Sequence, residues 1–143
     1  MRPALESDSP SIRALIHQAQ INPTGLDWRH FIVAVDGQDR LLGCGQTKQH
    51  KDGSRELASI AVAPEWRRQG VASHIIHHLL AKNPGKLYLT CRASLGTFYE
   101  RFGFHIAKPE EMTPYYRRLA QLARTARFLH LVGGEMLVMV RES

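Results

Sequence analysis

Cysteine is scarce in this chain: Cys44 and Cys91 are the two it has. That is too few for the dense disulfide framework of a small secreted scaffold. Long apolar runs are missing as well. No segment approaches the roughly 20 apolar residues that cross a bilayer, so no membrane partner is expected. The opening Met1-Arg2-Pro3-Ala4-Leu5-Glu6 has none of the apolar centre of a signal peptide, and the expected location is cytoplasmic. Phosphate-binding loops of the Gly-x-x-x-x-Gly-Lys-Ser/Thr type are absent. Gly43-Cys44-Gly45 begins like a dinucleotide fingerprint, but Lys48 stands where the third glycine belongs and a strand, not a helix, follows. His74 and His78 have metal-ligand spacing, yet no nearby cysteine or carboxylate completes a set. A solvated helix face, and no metal, is expected there. Repeats, low-complexity stretches and long linkers are also lacking.

What remains is ordinary globular material. The chain has 143 residues, 43% of them hydrophobic and 22% charged, which suits one domain over residues 1–143. The formal charge of +6 favours anionic partners without choosing among nucleic acid, an acidic metabolite and a phosphorylated cofactor. Ser9-Pro10 opens a helix carried by Ile12, Leu15, Ile16 and Ala19, and Asn22-Pro23-Thr24-Gly25 closes it. Phe31 to Val35, Leu41 to Thr47 and Glu56 to Val62 read as a β meander separated by the turns Asp36-Gly37-Gln38-Asp39 and Lys51-Asp52-Gly53-Ser54. Alternation along the third strand puts Glu56, Ala58, Ile60 and Val62 on one face. Val71 to Leu80 is an amphipathic helix ended by Asn83-Pro84-Gly85. Then come a strand at Leu87 to Thr90, a short helix at Leu95 to Phe102, a strand at Phe104 to Ile106, and a helix from Thr113-Pro114 to about Leu129. Met136 to Val140 closes the chain as an internal strand. The order predicts a mixed α/β domain around one mostly antiparallel sheet with flanking helices.

The segment Ile60-Ala61-Val62-Ala63-Pro64-Glu65-Trp66-Arg67-Arg68-Gln69-Gly70-Val71-Ala72 carries the most information. A strand ends, a loop follows, and a helix opens at a glycine. Free backbone N–H groups and the positive end of the helix dipole suit a phosphate or pyrophosphate. Gly70 lets backbone and ligand approach closely, and Arg67 and Arg68 add charge. A plain strand-loop-helix connection satisfies the same geometry.

Arg67-x-x-Gly70-x-Ala72 after a strand ending in Val62-x-Pro64 resembles the acyl-CoA-binding motif of the GNAT superfamily of N-acyltransferases. Phe98-Tyr99-Glu100-Arg101-Phe102-Gly103-Phe104 is similar to its second hallmark, and Arg2-Pro3-Ala4 with Asp8 resembles its first strand and helix. The resemblance covers nearly the whole chain. It implies one N-acetyltransferase domain that uses acetyl-CoA. It implies that the backbone of Ile60, Ala61 and Val62 holds the pantetheine arm, and that N–H groups from Arg67, Arg68, Gln69, Gly70, Val71 and Ala72 hold the pyrophosphate. Tyr99 falls where many members protonate the departing thiolate, and Glu56 where one branch has its general base. Arg92 departs from the asparagine usual at that point; it could bind a CoA phosphate, a substrate carboxylate or solvent.

From these parts the expected reaction is direct transfer of acetyl to a primary amine of a small molecule within a ternary complex, with Glu56 taking the amine proton and Tyr99 supplying one to sulfur. Asp27 and Trp28, in the loop Asn22 to His30, are the candidates for the acceptor side. Other readings stay open. Tyr99 could be a core tyrosine and Glu56 a solvent-facing strand residue. Cys91, with His105, is a weaker candidate nucleophile than a small buried hydrophobe. The acceptor could be a protein lysine or N-terminus. A non-catalytic CoA-binding module or nucleic-acid-binding module is the reading from another class. Its basis is the helix with Tyr115, Tyr116, Arg117, Arg118, Arg124 and Arg127. A packing helix with Leu119, Leu122, Ala123 and Ala126 on the core side is favoured over it, and a homodimer contact there is a further option.

Overall fold

Apolar stretches at Phe31–Val35 (β2), Leu41–Gln49 (β3) and Arg55–Val62 (β4) form strands, and glycine- and aspartate-bearing turns separate them. The computed structural model describes residues 1–128 and 135–142. It adds strands at Arg2–Pro3 (β1), Leu87–Arg92 (β5), His105–Ile106 (β6) and Met136–Arg141 (β7). The helices are Ser9–Gln18 (α1), Val71–Lys82 (α2), Gly96–Glu100 (α3) and Pro114–Phe128 (α4). The sheet order is β1-β2-β3-β4-β5-β7-β6. β4 and β5 are parallel, paired at Glu56 and Tyr88; β1 with β2, β2 with β3, β5 with β7 and β6 with β7 are antiparallel. This is the mixed α/β, mostly antiparallel sheet with flanking helices that the sequence predicts. Leu129, the expected end of the last helix, lies outside the described residues.

Two compact units make up the chain. The first comprises Met1–Lys48 and Leu57–Pro84, and the second Gln49–Glu56 and Gly85–Ser143. In the first, Ile12, Leu15 and Ile16 of α1 pack with Phe31, Val33, Cys44 and Ala61. α2 buries Ile75, Ile76, Leu79 and Leu80. Gly45 of β3 makes the close approach of α2 possible, since a Cβ there would meet Ile60 Cδ1 and Ile75 Cγ2 at 2.7 Å. α1 begins one residue earlier than a Ser9 cap would have it: Ser9 is its first helical residue and Asp8 the cap position. A short 3-10 turn, Glu6–Asp8, runs straight into the helix, and the Asp8 carboxylate is occupied by Arg2 (2.8 Å) and the Leu5 N–H (2.7 Å).

In the second unit the core is Tyr88, Ala107, Tyr116, Val138 and Val140, with Leu119 and Ala120 packed against it. The Tyr88 and Tyr116 rings stack at 4.3 Å. The core face of α4 is therefore set by Tyr116, then Leu119 and Ala120 at i+3 and i+4. Leu122, expected on that face, falls outside it and is 66% exposed. His78 corrects a second expectation. His74 and His77 of α2 are exposed, but the Nε2 atom of His78 is buried.

Candidate active site

The first unit supplies the loop between β4 and α2. Pro64 starts a single 3-10 turn, Pro64–Trp66, as its fixed φ favours. The Ala63 N–H is held by the Leu42 carbonyl at 2.8 Å. Two left-handed residues follow, Arg68 with φ +63° and Gly70 with φ +81°. Gly70 is the cap residue of α2 and offers no side chain to satisfy the helix start. The first intrahelical bond is from the His74 N–H to the Gly70 carbonyl, 3.1 Å. The N–H groups of Val71, Ala72 and Ser73 therefore precede the ladder and point outward with the positive end of the dipole. A Cβ on Gly70 would meet no atom within 4 Å, so the glycine answers the backbone conformation and leaves open space beside it. Arg67 and Gln69 turn back onto the loop. Arg67 Nε donates to the Val62 carbonyl (3.3 Å) and Gln69 Nε2 to the Glu65 carbonyl (3.2 Å). These side chains brace the loop, leaving its backbone to meet an anion. The residues present thus fit a pyrophosphate-bearing cofactor.

Upstream, Ala61 is buried and Ile60 and Val62 are half-buried. Ser59 has φ +59°, a conformation typical of a bulge. Its hydroxyl accepts a hydrogen bond from Gln46 Nε2 at 2.8 Å, and its carbonyl accepts one from Cys44 Sγ at 3.6 Å. The two-residue period consequently does not run through β4, and the expected common face of Glu56, Ala58, Ile60 and Val62 is not one continuous row. The first unit also holds Asp27 and Trp28. Asp27 caps a 3-10 turn, accepting from the Arg29 N–H (3.1 Å) and pairing with the Arg29 guanidinium (2.9 Å). Its carboxyl is lowered first by the Arg29 side chain. Trp28 packs against the core. Both have local structural work.

The second unit holds Glu56, Tyr99 and Arg92. Glu56 is buried, not solvent-facing, and its Oε1 lies 2.7 Å from His50 Nε2. The His50 ring stacks on Tyr115 at 4.1 Å and meets Tyr116 edge-on at 5.9 Å. His50, Tyr115 and Tyr116 are thus the neighbours that a reading of the sequence missed as partners of Glu56. The signal was faint: a histidine six residues before the glutamate, across the Lys51-Asp52-Gly53-Ser54 turn, and a Tyr-Tyr pair at a helix start. Asp52 in that turn accepts from the Ser54 hydroxyl and N–H, which, with the Thr113 hydroxyl, draws its carboxyl down to about 2.

Tyr99 sits on α3, whose start is pressed onto β7; a Cβ on Gly96 would come within 2.9 Å of Leu137 Cδ1. The Tyr99 ring meets Phe98 and Phe104 edge-on. Burial, and secondarily Cys91, pushes its hydroxyl up to about 12. Burial also pushes the Cys91 thiol up to about 11. His105, its suggested partner, is paired at 2.8 Å with Glu111 Oε2. Arg92 is exposed at the end of β5, opposite Met136.

A strand turns through two left-handed residues into a glycine-capped helix, and solved structures with bound CoA share this fold. Rv2747 from Mycobacterium tuberculosis, solved in complex with CoA, superposes with a TM-score of 0.74 at 20% identity, over 99% of this chain and 98% of that one. N-acetylglutamate synthase from Neisseria gonorrhoeae, complexed with coenzyme A and N-acetyl-glutamate, gives 0.74 at 21% identity, over 99% of this chain and 34% of that one. Ard1 from Thermoplasma volcanium gives 0.68 at 16% identity, over 99% and 95%. At the sequence level, the family described as an acetyltransferase (GNAT) domain matches residues 27–106, more than half of the chain. The chain belongs to the GNAT acetyltransferase family. Mycothiol acetyltransferase of Saccharopolyspora erythraea is 34% identical over 67 residues, which span 44% of this chain and 22% of that protein.

Proposed function

We propose that residues 1–143 act as one N-acetyltransferase domain that moves acetyl from acetyl-CoA to a primary amine of a small molecule, by direct transfer in a ternary complex, in the cytoplasm and without a metal. The backbone of the loop Arg67–Gly70 is the observation that carries this reading. Two left-handed residues and an uncapped helix start make a built anion cradle next to open space. Ile60, Ala61 and Val62 would align the pantetheine arm, and Arg67 through Ala72 the pyrophosphate. Bound there, acetyl-CoA supplies an acyl group activated toward amines.

The remaining work falls to the chain's own residues. Glu56 Oε1, buried against His50, takes the proton that the acceptor ammonium must lose. The Tyr99 hydroxyl, kept protonated far above neutral pH, supplies one to the leaving sulfur. A thiol pushed up to about 11 at Cys91 is a poor nucleophile at neutral pH, which supports direct transfer over an acyl-cysteine route. Arg92, exposed, is free to meet a phosphate of the donor. Asp27 is engaged with Arg29, so the acceptor role proposed for Asp27 and Trp28 requires that this pair open.

Calorimetric titration with acetyl-CoA tests the cradle. Saturable binding is expected for the wild-type protein and loss of it in Gly70→Asp, where a carboxylate and an unfavourable φ both enter the loop. Equal binding by both proteins would remove the loop from the donor site.

A further inference from the structure

The second unit carries a cleft that the donor cradle does not use. It has a volume of about 480 Å³ and is lined by His50, Lys51, Asp52, Pro114, Tyr115 and Arg118. That lies within the range of about 300–1,000 Å³ usual for small-molecule sites. Its charges are arranged unevenly. Lys51 and Arg118 are exposed, and among the described residues neither is engaged in an ion pair. Asp52 is also at the wall, but its carboxylate is already hydrogen-bonded by the Ser54 N–H and hydroxyl. The Tyr115 ring, stacked on His50, gives a flat apolar side. Behind His50, at 2.7 Å, lies the buried Glu56 carboxylate.

We propose that this cleft is the acceptor pocket and that it takes a small amine bearing a carboxylate, such as an α-amino acid. The carboxylate pairs with Arg118 and Lys51, and the amine is directed toward the His50–Glu56 pair. This rests on the reading of the chain as an N-acetyltransferase. The chemistry selects the class. A guanidinium fork matches a carboxylate in two parallel hydrogen bonds. Asp52 puts one carboxylate on the same wall, its Oδ1 taken by Ser54, so the mouth keeps a net positive charge that disfavours a purely cationic amine against one that also carries a carboxylate. His50 touches Glu56 and acts as its positioning residue: the ring is fixed from one side by Tyr115 and from the other by the carboxylate.

Initial rates with acetyl-CoA, measured for the L-amino acids and the corresponding carboxamides, test the pocket in the wild-type protein, Arg118→Ala and Arg118→Lys. Arg118 is exposed on α4, so its replacement leaves the core intact. The expected results are a preference for the free acid of about tenfold or more in kcat/KM, and an increase of about tenfold in its KM in Arg118→Ala. The KM for acetyl-CoA stays unchanged, the ratio of acid to carboxamide falls toward one, and Arg118→Lys recovers part of it. Equal use of acids and carboxamides, a ratio indifferent to Arg118→Ala, or transfer only to lysine-containing peptides would overturn the pocket and leave the N-acetyltransferase reading standing. A protein that binds acetyl-CoA yet acetylates none of these amines would overturn both.

Discussion

Tyr99 and Glu56, the two residues proposed to move protons, sit in different surroundings. Around Tyr99 the neighbours are Phe98, Phe104 and the thiol of Cys91; burial pushes the hydroxyl up to about 12. At neutral pH the hydroxyl is therefore held in its protonated form. Around Glu56 there is an imidazole at 2.7 Å and two tyrosine rings beyond it. Tyr99→Phe should lower kcat by roughly 10²-fold or more while leaving acetyl-CoA affinity nearly unchanged, because it deletes one hydroxyl and no packing surface. Steady-state kinetics beside calorimetry separates the two quantities. A fall in affinity with kcat unchanged would show Tyr99 to be a packing residue.

At the level of elements, β3 and α2 meet through a glycine. Gly45→Val should destabilise the protein by about 1–3 kcal/mol, since even a Cβ lands 2.7 Å from Ile60 and Ile75. Gly37→Ala, with nothing within 4 Å, should stay within about 0.5 kcal/mol; urea denaturation compares the two. This contrast also shows what the sequence makes legible. Helix and strand positions were readable because Pro10, Pro64, Gly70, Asn83 and Pro114 punctuate apolar runs of clear period. The left-handed backbone at Ser59 and Arg68 was not, because neither residue type announces a positive φ. Leu122 lies off the α4 core face because Leu119, Leu122, Ala123 and Ala126 all fit a helical stripe, and the choice among them is made by Tyr116, which stacks on Tyr88 from a distant strand. The strand-loop-helix turn at residues 67–70 was legible as a local motif. The His50–Glu56–Tyr115 cluster was not, since it exists only where a turn and a helix more than sixty positions apart come together.

For the molecule as a whole, the buried proton-holding groups set an alkaline limit. Cys44 rises from 9.0 to about 12, Cys91 from 9.0 to about 11 and Tyr99 from 10.0 to about 12, each chiefly through burial. In every case the folded state keeps a proton that the unfolded chain releases. Unfolding therefore liberates protons above the ordinary values, and stability falls as pH rises from 9 toward 12. Urea midpoints across that interval should decline steadily, and Cys44→Ala should flatten part of the slope; a midpoint independent of pH there would contradict the burial of these groups.

The placement of the two tryptophans has an optical consequence. Trp28 is packed against the first unit's core, whereas Trp66, 36% exposed, stands one residue before the loop that turns at Arg68 and Gly70. Replacing Trp28 with phenylalanine leaves one indole in the chain, and its emission reports the solvent around that loop alone. The protein thus carries a built-in fluorophore beside the proposed donor cradle, so its occupancy can be sought in real time on unlabelled material, separately from any chemistry at the acceptor.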